Sequence, residues 1–588
     1  MNILGFVYGF RCHDTAAAIV CDGKLVAAAE EERFTRNKHD SAFPIRSIEY
    51  CLKRAGISMD QVDFIAFPEK PYRSGPDSYL AEMTWNTHSR LRAGGAVGFR
   101  SLAHKCMLDT LLPLGVRWNL QMEATAAEGF AQLRAAYPKL PPIRYYDHHR
   151  AHAAATYLTS GEENAAIVTI DFAGGPYSAG VWKGKKSSIS RLETEICLNS
   201  LGEFYWDATK YLGLGSFAEG KTMGLAPYGD AKKFEKLFES TLERAGSRWF
   251  DYHGWPSAAT LGAPARSKES PLDAPYPDLA AAIQEAMESA QQRVVRSAVN
   301  EASSRVACLG GGVGLNCSAN GALLDSGIVE SAWVFPAAND AGLSVGAALL
   351  CAGDCGELQP VRLEHAYWGP DFSAGECEAA VLHEPRVALR RIDRPVNEAV
   401  AEALAAGQVV GVCRGGMEFG PRALGNRSIL ADPRRLEIRD RVNLIKGREL
   451  WRPLAPSVLA ERASEFFELR QPSPFMLFRT HVKPEKRSAV PAIVHVDGSA
   501  RPQTVTREQN PAFYDLISEF SRQTGVPVLL NTSFNTASEP IVCTPQEAIA
   551  TFLESGLDLL VLGDFLVENV SARSTPSQQE KSLRRTQI

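Results

Sequence analysis

The chain has 588 residues, is 45% hydrophobic and 22% charged, and carries 63 Lys and Arg against 68 Asp and Glu, a formal net charge of −5. That length predicts more than one core, with two large domains the leading expectation, and the mild acidity argues against a protein held to nucleic acid by bulk charge. No apolar run reaches the roughly 18 residues of a membrane span, and the start MNILGFVYGFRC lacks the basic region and small-residue cleavage site of a signal peptide, so a cytoplasmic location is expected.

The first strand reads as NILGFVYG. TAAAIVCDGKLVAAAEEERF follows, with Asp22-Gly23 as a two-residue hairpin signal between apolar stretches. His13 falls in the turn after the first strand. Lys38 follows the third, in the charged run EEERFTRNKHD. Residues 70–140 are expected to be mostly helical, with Trp85, Phe99 and Trp118 set between basic residues. They read either as a cap that selects a substrate or as plain core.

The stretch YYDHHRAHAAATY, residues 145–157, reads as helix. His148 and His152 are four apart, which stacks two imidazoles on one face. A metal pair and a solvated polar stripe both fit that spacing. His149 is one helical step off this face and is either exposed or a supporting group. AAIVTIDFAGG is then a strand ending in Asp171, and PYSAGVWKGKKSSISRLE is a second hairpin expected to turn around Lys183-Gly184-Lys185. The chain thus writes strand, turn and hairpin twice. This is the plan of the actin, sugar-kinase and heat-shock ATPase superfold, with duplicated RNase H-like halves.

RVACLGGGVGLNCSANGALL carries a short strand into Gly310, Gly311 and Gly312 and then a helix. Glycines there let backbone N–H groups approach a phosphate or ribose. No Gly-Lys-Ser/Thr follows, and Leu315 stands where a dinucleotide motif needs its last Gly. In WVFPAANDAGLSVGAAL, Asp340 sits between a strand and a small-residue helix, placed for a cation or as a plain N-cap. Two imidazoles and two carboxylates would suit Fe(II), Zn, Mn or Co with open positions. The twelve cysteines are scattered, Cys351 and Cys355 being the nearest pair, which fits reduced thiols better than paired zinc knuckles.

After residue 355 the composition shifts. GDCGELQPVRLEHAYWGPDFS is turn-rich and marks 356–385 as a linker. A helix, a strand and a loop rich in Arg and Gly follow, with Arg414, Arg422 and Arg427, then Lys446, Arg448 and Arg452, then Arg501. A solvated basic face is the plain reading. These cations alternate with Gly, Pro and apolar residues, however, which suits a pocket that grips phosphates. Arg414, Arg427 and Arg448 could each be an ion-pair partner instead. Residues 571–588, rich in Ser, Gln and charge, are expected to form a disordered tail.

Several motifs in one order carry a resemblance: CHDTAAAIV, EERFTRNKHDSAFP, DHHRAH, GKTMGLAPYG, LGGGVGLN, AANDAG, MEFGPRALGNRSILADPR, HVDGSARPQTV and NTSFN. The chain resembles the NodU-type O-carbamoyltransferases, the family of the nodulation, cephalosporin, tobramycin and novobiocin carbamoylating enzymes, from residue 1 to about 570. The resemblance implies an α/β protein. Residues 1–355 would form an actin-like domain similar to tRNA threonylcarbamoyladenosine transferase, and 386–570 a YrdC-like α/β domain. It implies carbamoyl-adenylate formation from carbamoyl phosphate and ATP, with Mg²⁺ accompanying the ATP, then transfer to a hydroxyl of a small-molecule acceptor, a natural product or a sugar.

By the same resemblance His148, His152, Asp171 and Asp340 hold the metal, Fe(II) first, and His13 and Lys38 hold the reacting group. His13 would be a base or only a hydrogen-bond donor. Glu219, Lys221, Gly224, the Gly310–Gly312 turn and Asn316 would meet nucleotide. Arg422, Lys446, Arg452, Arg501, Asn531 and Ser533 would line the carbamoyl phosphate and ATP cavity. Two departures stand out: Phe172 after Asp171 and Ser538 in NTSFNTASEP, both where Gly is usual. The rival readings are a tRNA-modifying enzyme and a nucleotide-binding scaffold without turnover. A hydrogenase-maturation carbamoyltransferase would need zinc knuckles and an acylphosphatase module, and neither is visible.

Overall fold

The computed structural model describes residues 1–9, 12–70, 112–197, 199–242, 249–252, 254–266, 272–358, 362–390 and 392–570, with 112–123 as helix backbone alone. Trp85, Phe99, the side chain of Trp118 and the expected tail at 571–588 lie outside these residues. The chain divides into two units, Met1–Leu363 and Glu364–Ile588.

In the first unit Asp22 (φ 49°) and Gly23 (φ 73°) both take the left-handed conformation that a tight hairpin turn demands. They join β2 (Ala16–Cys21) to β3 (Lys24–Glu30), and β2 pairs antiparallel with β1 (Asn2–Val7). β4 (Phe64–Phe67) and β5 (Ile143–Tyr145) extend the sheet in parallel, giving the order β3-β2-β1-β4-β5. The second sheet repeats this plan. β6 (Asn164–Gly174), β7 (Tyr177–Lys185) and β8 (Ser188–Ile196) form an antiparallel meander, and β9 (Val306–Gly310) and β10 (Ser331–Val334) add in parallel. The order β8-β7-β6-β9-β10 matches the first sheet strand for strand.

The second hairpin turns at Lys186 (φ 55°), two residues past the expected place. Gly184 lies inside β7 because a Cβ there would sit 2.4 Å from the Tyr157 ring. It is a packing glycine and not a turn glycine.

One face of the first sheet, with Leu4, Phe6, Ile19 and Phe67, packs against Ile48 and Leu52 of the helix Ile45–Ala55. Each such large side chain contributes about 1.5–3 kcal/mol on burial. Against the sheet's other face lies the helix Gly342–Asp354, buried from Gly342 to Ala352. A Cβ on Gly5 would be 2.0 Å from the Ser344 carbonyl oxygen, and one on Gly346 would be 1.9 Å from that of Ala151. Small residues let this helix contact β1 on one side and the helix His148–Tyr157 on the other.

In the second unit the described residues form an eight-stranded mixed sheet. Its strands run in the order Val387–Arg390, Phe565–Asn569, Leu559–Leu562, Val410–Cys413, Arg427–Ala431, Val528–Ser533, Ala455–Leu459 and Gln503–Val505. The stretch expected as a linker is structured from Glu364 onward. It includes the helix Ala374–Leu382, opened by a capping box of Ser373 and Glu376. Cys377, Ala380 and Val381 from that helix enter the core of this unit. Apolar residues spaced for one helical face explain why it docks.

Candidate functional site

Asp147 fixes where the histidine helix begins. Its carboxylate accepts from the Arg150 backbone N–H at 2.8 Å, so His148 is the first helical residue and His152 lies one turn on. The helix is buried on nearly every side, which rules out the solvated stripe. The two rings lie 4.8 Å apart, centre to centre.

Both imidazoles face the two aspartates. His152 Nε2 is 2.9 Å from Asp171 Oδ2 and 3.8 Å from Asp340 Oδ1. His148 Nε2 is 3.9 Å and 3.8 Å from the same oxygens. Ligand atoms about 2.1 Å from a shared cation stand roughly 3.0–3.4 Å apart, so modest side-chain adjustment completes such a set. Among the described residues, His152 Nε2 and Asp171 Oδ2 are buried without a hydrogen bond of good geometry. A bound cation would satisfy both. Asp340 does not cap the helix that follows it: that helix shows no side-chain cap bond at its start. The donor set therefore fits a divalent metal.

Glu69, just past the end of β4, completes the arrangement, and its Oε1 lies 2.7 Å from His148 Nδ1. A hydrogen bond from Nδ1–H puts the lone pair of the neutral ring on Nε2, which is the tautomer a ligand needs. Burial lowers the basicity of His148, but Glu69, Asp171 and Asp340 outweigh it and raise the group well above its usual value. Burial likewise opposes ionisation of Asp171, and the two imidazoles override it and hold the carboxyl well below its usual range. Asp340 is pushed up by burial and by Asp171.

His149 is fully buried and points elsewhere. Its Nδ1 meets Thr169 Oγ1 at 3.0 Å and its Nε2 meets the Tyr177 carbonyl at 3.1 Å. Burial and its two neighbouring imidazoles hold it down at about 3, a neutral supporting group and not a ligand.

The glycines of the site are mostly about close approach. A Cβ on Gly174 would lie 2.1 Å from the His148 ring, and one on Gly312 would lie 3.2 Å from Asp171 Oδ1. Gly311 (φ 83°) would drive a Cβ to 2.2 Å from the Ile170 carbonyl. The Gly310–Gly312 turn is thereby seated on β6 beside Asp171. Phe172 forms an edge contact with Trp206, and its N–H donates to Asp171 Oδ1 at 2.7 Å.

Beside this set is a second cluster. His13 Nδ1 is 3.0 Å from Asp14 Oδ2, and His39 Nδ1 is 2.9 Å from Asp14 Oδ1. The amide of Asn339, next to Asp340, donates to Asp14 Oδ2 at 2.8 Å. Burial alone would lower His13, but Asp14 raises it to about 9. Asp14 is correspondingly held well below its ordinary value, against its burial. The three groups hydrogen-bond one another, and they also lie close enough together to hold a cation. Lys38 is exposed in the adjoining turn, and it is His39 beside it that reaches Asp14. Sequence reasoning missed Glu69, Asp14 and His39. For the last two the only signal was adjacency to His13 and Lys38.

Glu219, Lys221 and Gly224 lie on the helix Glu219–Leu225. The Glu219 carboxyl is raised by burial, with His13 and His39 in its electrostatic surroundings. Asn316 is engaged otherwise: its Oδ1 accepts from the Ala319 N–H at 3.0 Å and from Gln284 at 3.1 Å.

In the second unit, Arg448, Arg452 and Arg501 crowd together. Arg448 is lowered to about 9 by burial and by Arg452 and Arg501. Arg452 is lowered by burial, with Arg501 adding to the effect and Glu449 opposing it. Lys446 is buried and hydrogen-bonds the Ser533 carbonyl, the Asn535 carbonyl at 2.8 Å and Asn535 Oδ1 at 2.9 Å. Ser533 Oγ donates to Asn535 Oδ1 at 2.7 Å. Asn531 is buried and donates to Ser457 Oγ at 3.0 Å.

Arg427 is fully buried and donates to the carbonyls of Arg414, Gly415, Asn426, Cys543 and Pro370. Arg414 pairs with Asp564 at 2.9 Å. Arg422 is half-buried in the loop before Arg427. Arg427 and Arg414 therefore hold the loop together, while Arg448, Arg452 and Arg501 make the concentrated positive cluster.

A family model described as the carbamoyltransferase N-terminus matches residues 2–349, and one described as the carbamoyltransferase C-terminus matches 401–569. The chain is 39% identical to nodulation protein NolNO of Sinorhizobium fredii over 95% of its own length and 79% of that protein. It is 42% identical to nodulation protein NolO of Bradyrhizobium diazoefficiens over 72% of this chain and 78% of that one. Similarity to solved structures is weak. The ROK hexokinase of Thermus thermophilus aligns at a TM-score of 0.28 and 14% identity, over 59% of this chain and 98% of that one. Component A of (R)-2-hydroxyglutaryl-CoA dehydratase from Acidaminococcus fermentans aligns at 0.28 and 11%, over 60% and 97%.

Proposed function

This chain belongs to the carbamoyltransferase family, and from that premise we propose that it makes carbamoyl-adenylate from carbamoyl phosphate and ATP and passes the carbamoyl group to a hydroxyl of a small-molecule acceptor, a natural product or a sugar. The observation that carries the reading is the convergence of His148, His152, Asp171 and Asp340 beside the His13–Asp14 pair.

The repeated strand order of the two sheets supports reading the first unit as actin-like. Glu219, Lys221, Gly224 and the Gly310–Gly312 turn are its candidate nucleotide contacts. The second unit is read as YrdC-like, with Arg422, Arg452, Arg501 and Ser533 facing carbamoyl phosphate and ATP, the latter with Mg²⁺. Two polyanions repel one another by several kcal/mol unless cations screen them. Crowded guanidiniums, each costly to bury without an anion, are suited to that task. Lys446 orders the Ser533–Asn535 backbone from beneath the loop.

In the first step water cleaves carbamoyl phosphate to carbamate and inorganic phosphate, the carbamate oxygen attacks the α-phosphorus of ATP, and pyrophosphate leaves with the bonding pair. In the second the acceptor oxygen attacks the carbamoyl carbon, the carbon–oxygen bond to AMP breaks, and AMP departs with the bonding pair. His13, oriented through Nδ1 by Asp14, takes the proton of the attacking hydroxyl on Nε2 when it is neutral. Because Asp14 raises it to about 9, that role grows as pH rises toward that value, while the protonated ring acts as a hydrogen-bond donor. His148, His152, Asp171 and Asp340 would hold the metal, with Fe(II) the first candidate, and it would supply Lewis acidity toward the developing charge. Glu69 holds His148 in the tautomer that binding requires.

The test is to incubate the full chain with Fe(II), Mg-ATP and carbamoyl phosphate, with and without a panel of hydroxyl-bearing antibiotic precursors and sugars. Expected are pyrophosphate release that needs carbamoyl phosphate, and an acceptor that gains one carbamoyl mass together with AMP. Absence of carbamoyl phosphate-dependent pyrophosphate release would refute the mechanism.

A further inference from the structure

Phe217 sits with φ at 53°, a left-handed conformation that is costly for a bulky residue. Its segment, Gly213 to Ala218, also holds Gly213 (φ 67°) and Gly215 (φ 99°), so the chain coils tightly to deliver this one ring. The ring is 43% exposed, so burial does not repay the strained backbone. What the conformation achieves is placement. The ring centre is 4.4 Å from that of His13 and 4.7 Å from that of His39, the latter at 32°. His39 is itself left-handed, with φ at 54°. Two non-glycine residues in a disfavoured conformation therefore bring a phenyl ring over two imidazoles that share the Asp14 carboxylate.

These imidazoles keep 38% and 31% of their side-chain surface exposed. An imidazole poised to take a proton from an alcohol takes one from water equally well. A carbamoyl–phosphate anhydride is therefore open to two fates in such a site. With an alcohol, the alcohol oxygen bonds to the carbamoyl carbon, AMP leaves with the bonding pair, and the alcohol proton goes to imidazole nitrogen. With water, the same bonds form and break, and the products are AMP and carbamic acid, which falls to ammonia and carbon dioxide. Apolar surface laid on the imidazoles removes positions where water would be held by hydrogen bonds.

We propose that Phe217 is the water-excluding wall of the transfer site and sets the partition of the activated carbamoyl group between acceptor and water. The proposal rests on the carbamoyl-adenylate reading above. It makes Phe217 a residue that decides alcohol over water, not a group that takes part in bond making.

The test uses the full chain loaded with Fe(II), as wild type, Phe217→Ala and Phe217→Leu, given Mg-ATP and carbamoyl phosphate without acceptor. Pyrophosphate and AMP are both followed, and thermal melts are recorded. The wild type is expected to release a pyrophosphate burst and then AMP slowly. Phe217→Ala is expected to release AMP roughly tenfold faster, with an undiminished burst and a melting temperature no lower than wild type. Phe217→Leu, which restores apolar cover, should return AMP release toward wild type. Unchanged AMP release from Phe217→Ala with a normal burst overturns the proposal alone. So does loss of the burst in both variants, since the ring would then support folding or the first step. If Phe217→Ala does not fold, the leucine variant decides: acceptor-free AMP release far above wild type would show that bulk apolar cover is not what matters. A wild type that releases no pyrophosphate overturns the mechanism above, and this proposal with it.

Discussion

Removing the Glu69 carboxylate should weaken the metal centre without touching any of its four ligands. Glu69 Oε1 is 2.7 Å from His148 Nδ1, and the side chains are 14% and 5% exposed, so this hydrogen bond is little screened by water. A hydrogen bond to a charged group is worth about 1.5–3 kcal/mol, and loss of such an outer partner typically costs roughly 10–100-fold in metal affinity. Glu69→Gln keeps a neutral acceptor for Nδ1–H and should cost about tenfold. Glu69→Ala leaves that N–H buried with nothing to accept it and should approach about a hundredfold. The assay is anaerobic competition of Fe(II), or Co(II) as a stable probe, between protein and a chromophoric chelator, with melting curves to show an intact fold. Equal affinity in wild type and Glu69→Ala would refute the assignment of Glu69 as the residue that orients His148. Equal losses in both variants would show that its charge, and not the hydrogen bond, matters.

Asp171→Asn should abolish metal retention and carbamoyl transfer while pyrophosphate release persists, as followed by metal analysis and a pyrophosphate assay. Arg501→Ala and Arg452→Ala should each raise the KM for carbamoyl phosphate or ATP by roughly 10–100-fold, as expected for a lost charge-assisted phosphate contact, with metal content unchanged. Gly346→Ala should cost about 1–3 kcal/mol through overpacking, because the new Cβ would meet the Ala151 carbonyl at 1.9 Å; chemical denaturation would show it. Asp14→Asn should show a pH-dependent deficit in melting temperature. Asp14 is lowered from 3.8, so its contribution is present above that value and fades below it. His13 is raised from 6.5 to about 9, so its contribution is full below 6.5 and lost as pH rises through about 9. The gap between variant and wild type should therefore be widest near pH 4–6.5 and close above about 9.

The parts of this structure legible in the sequence are those whose physics is local. Four-residue spacing puts His148 and His152 on one face whatever surrounds them, and Asp22-Gly23 fixes a hairpin by its own backbone. Asp171 and Asp340 could be suspected because each follows an apolar run, although β6 does not end at Asp171 as expected but continues to Gly174, and Asp340 lies in the turn after β10. Glu69 sits at such a place too, just past the end of β4, yet in FPEK nothing distinguishes it from a surface acid until β4 and the histidine helix are placed together. Gly184 misled because a glycine between two lysines reads as a turn, while the real constraint is the Tyr157 ring in another element. The cations of the second unit divide for a similar reason. Gly- and Pro-rich loops leave carbonyls that no ladder satisfies, and some cations are spent there: Arg427 on five carbonyls, Lys446 on the Ser533–Asn535 segment. The same composition serves to build a loop and to bind a phosphate. What separates the two uses is how many oxygens surround the cation: Arg448, Arg452 and Arg501 have one another, with Glu449 as a partial counter-charge at 4.0 Å from Arg452. Mutual repulsion in a half-buried place is unfavourable until an anion arrives, so anion binding there should stabilise the second unit most where these three meet.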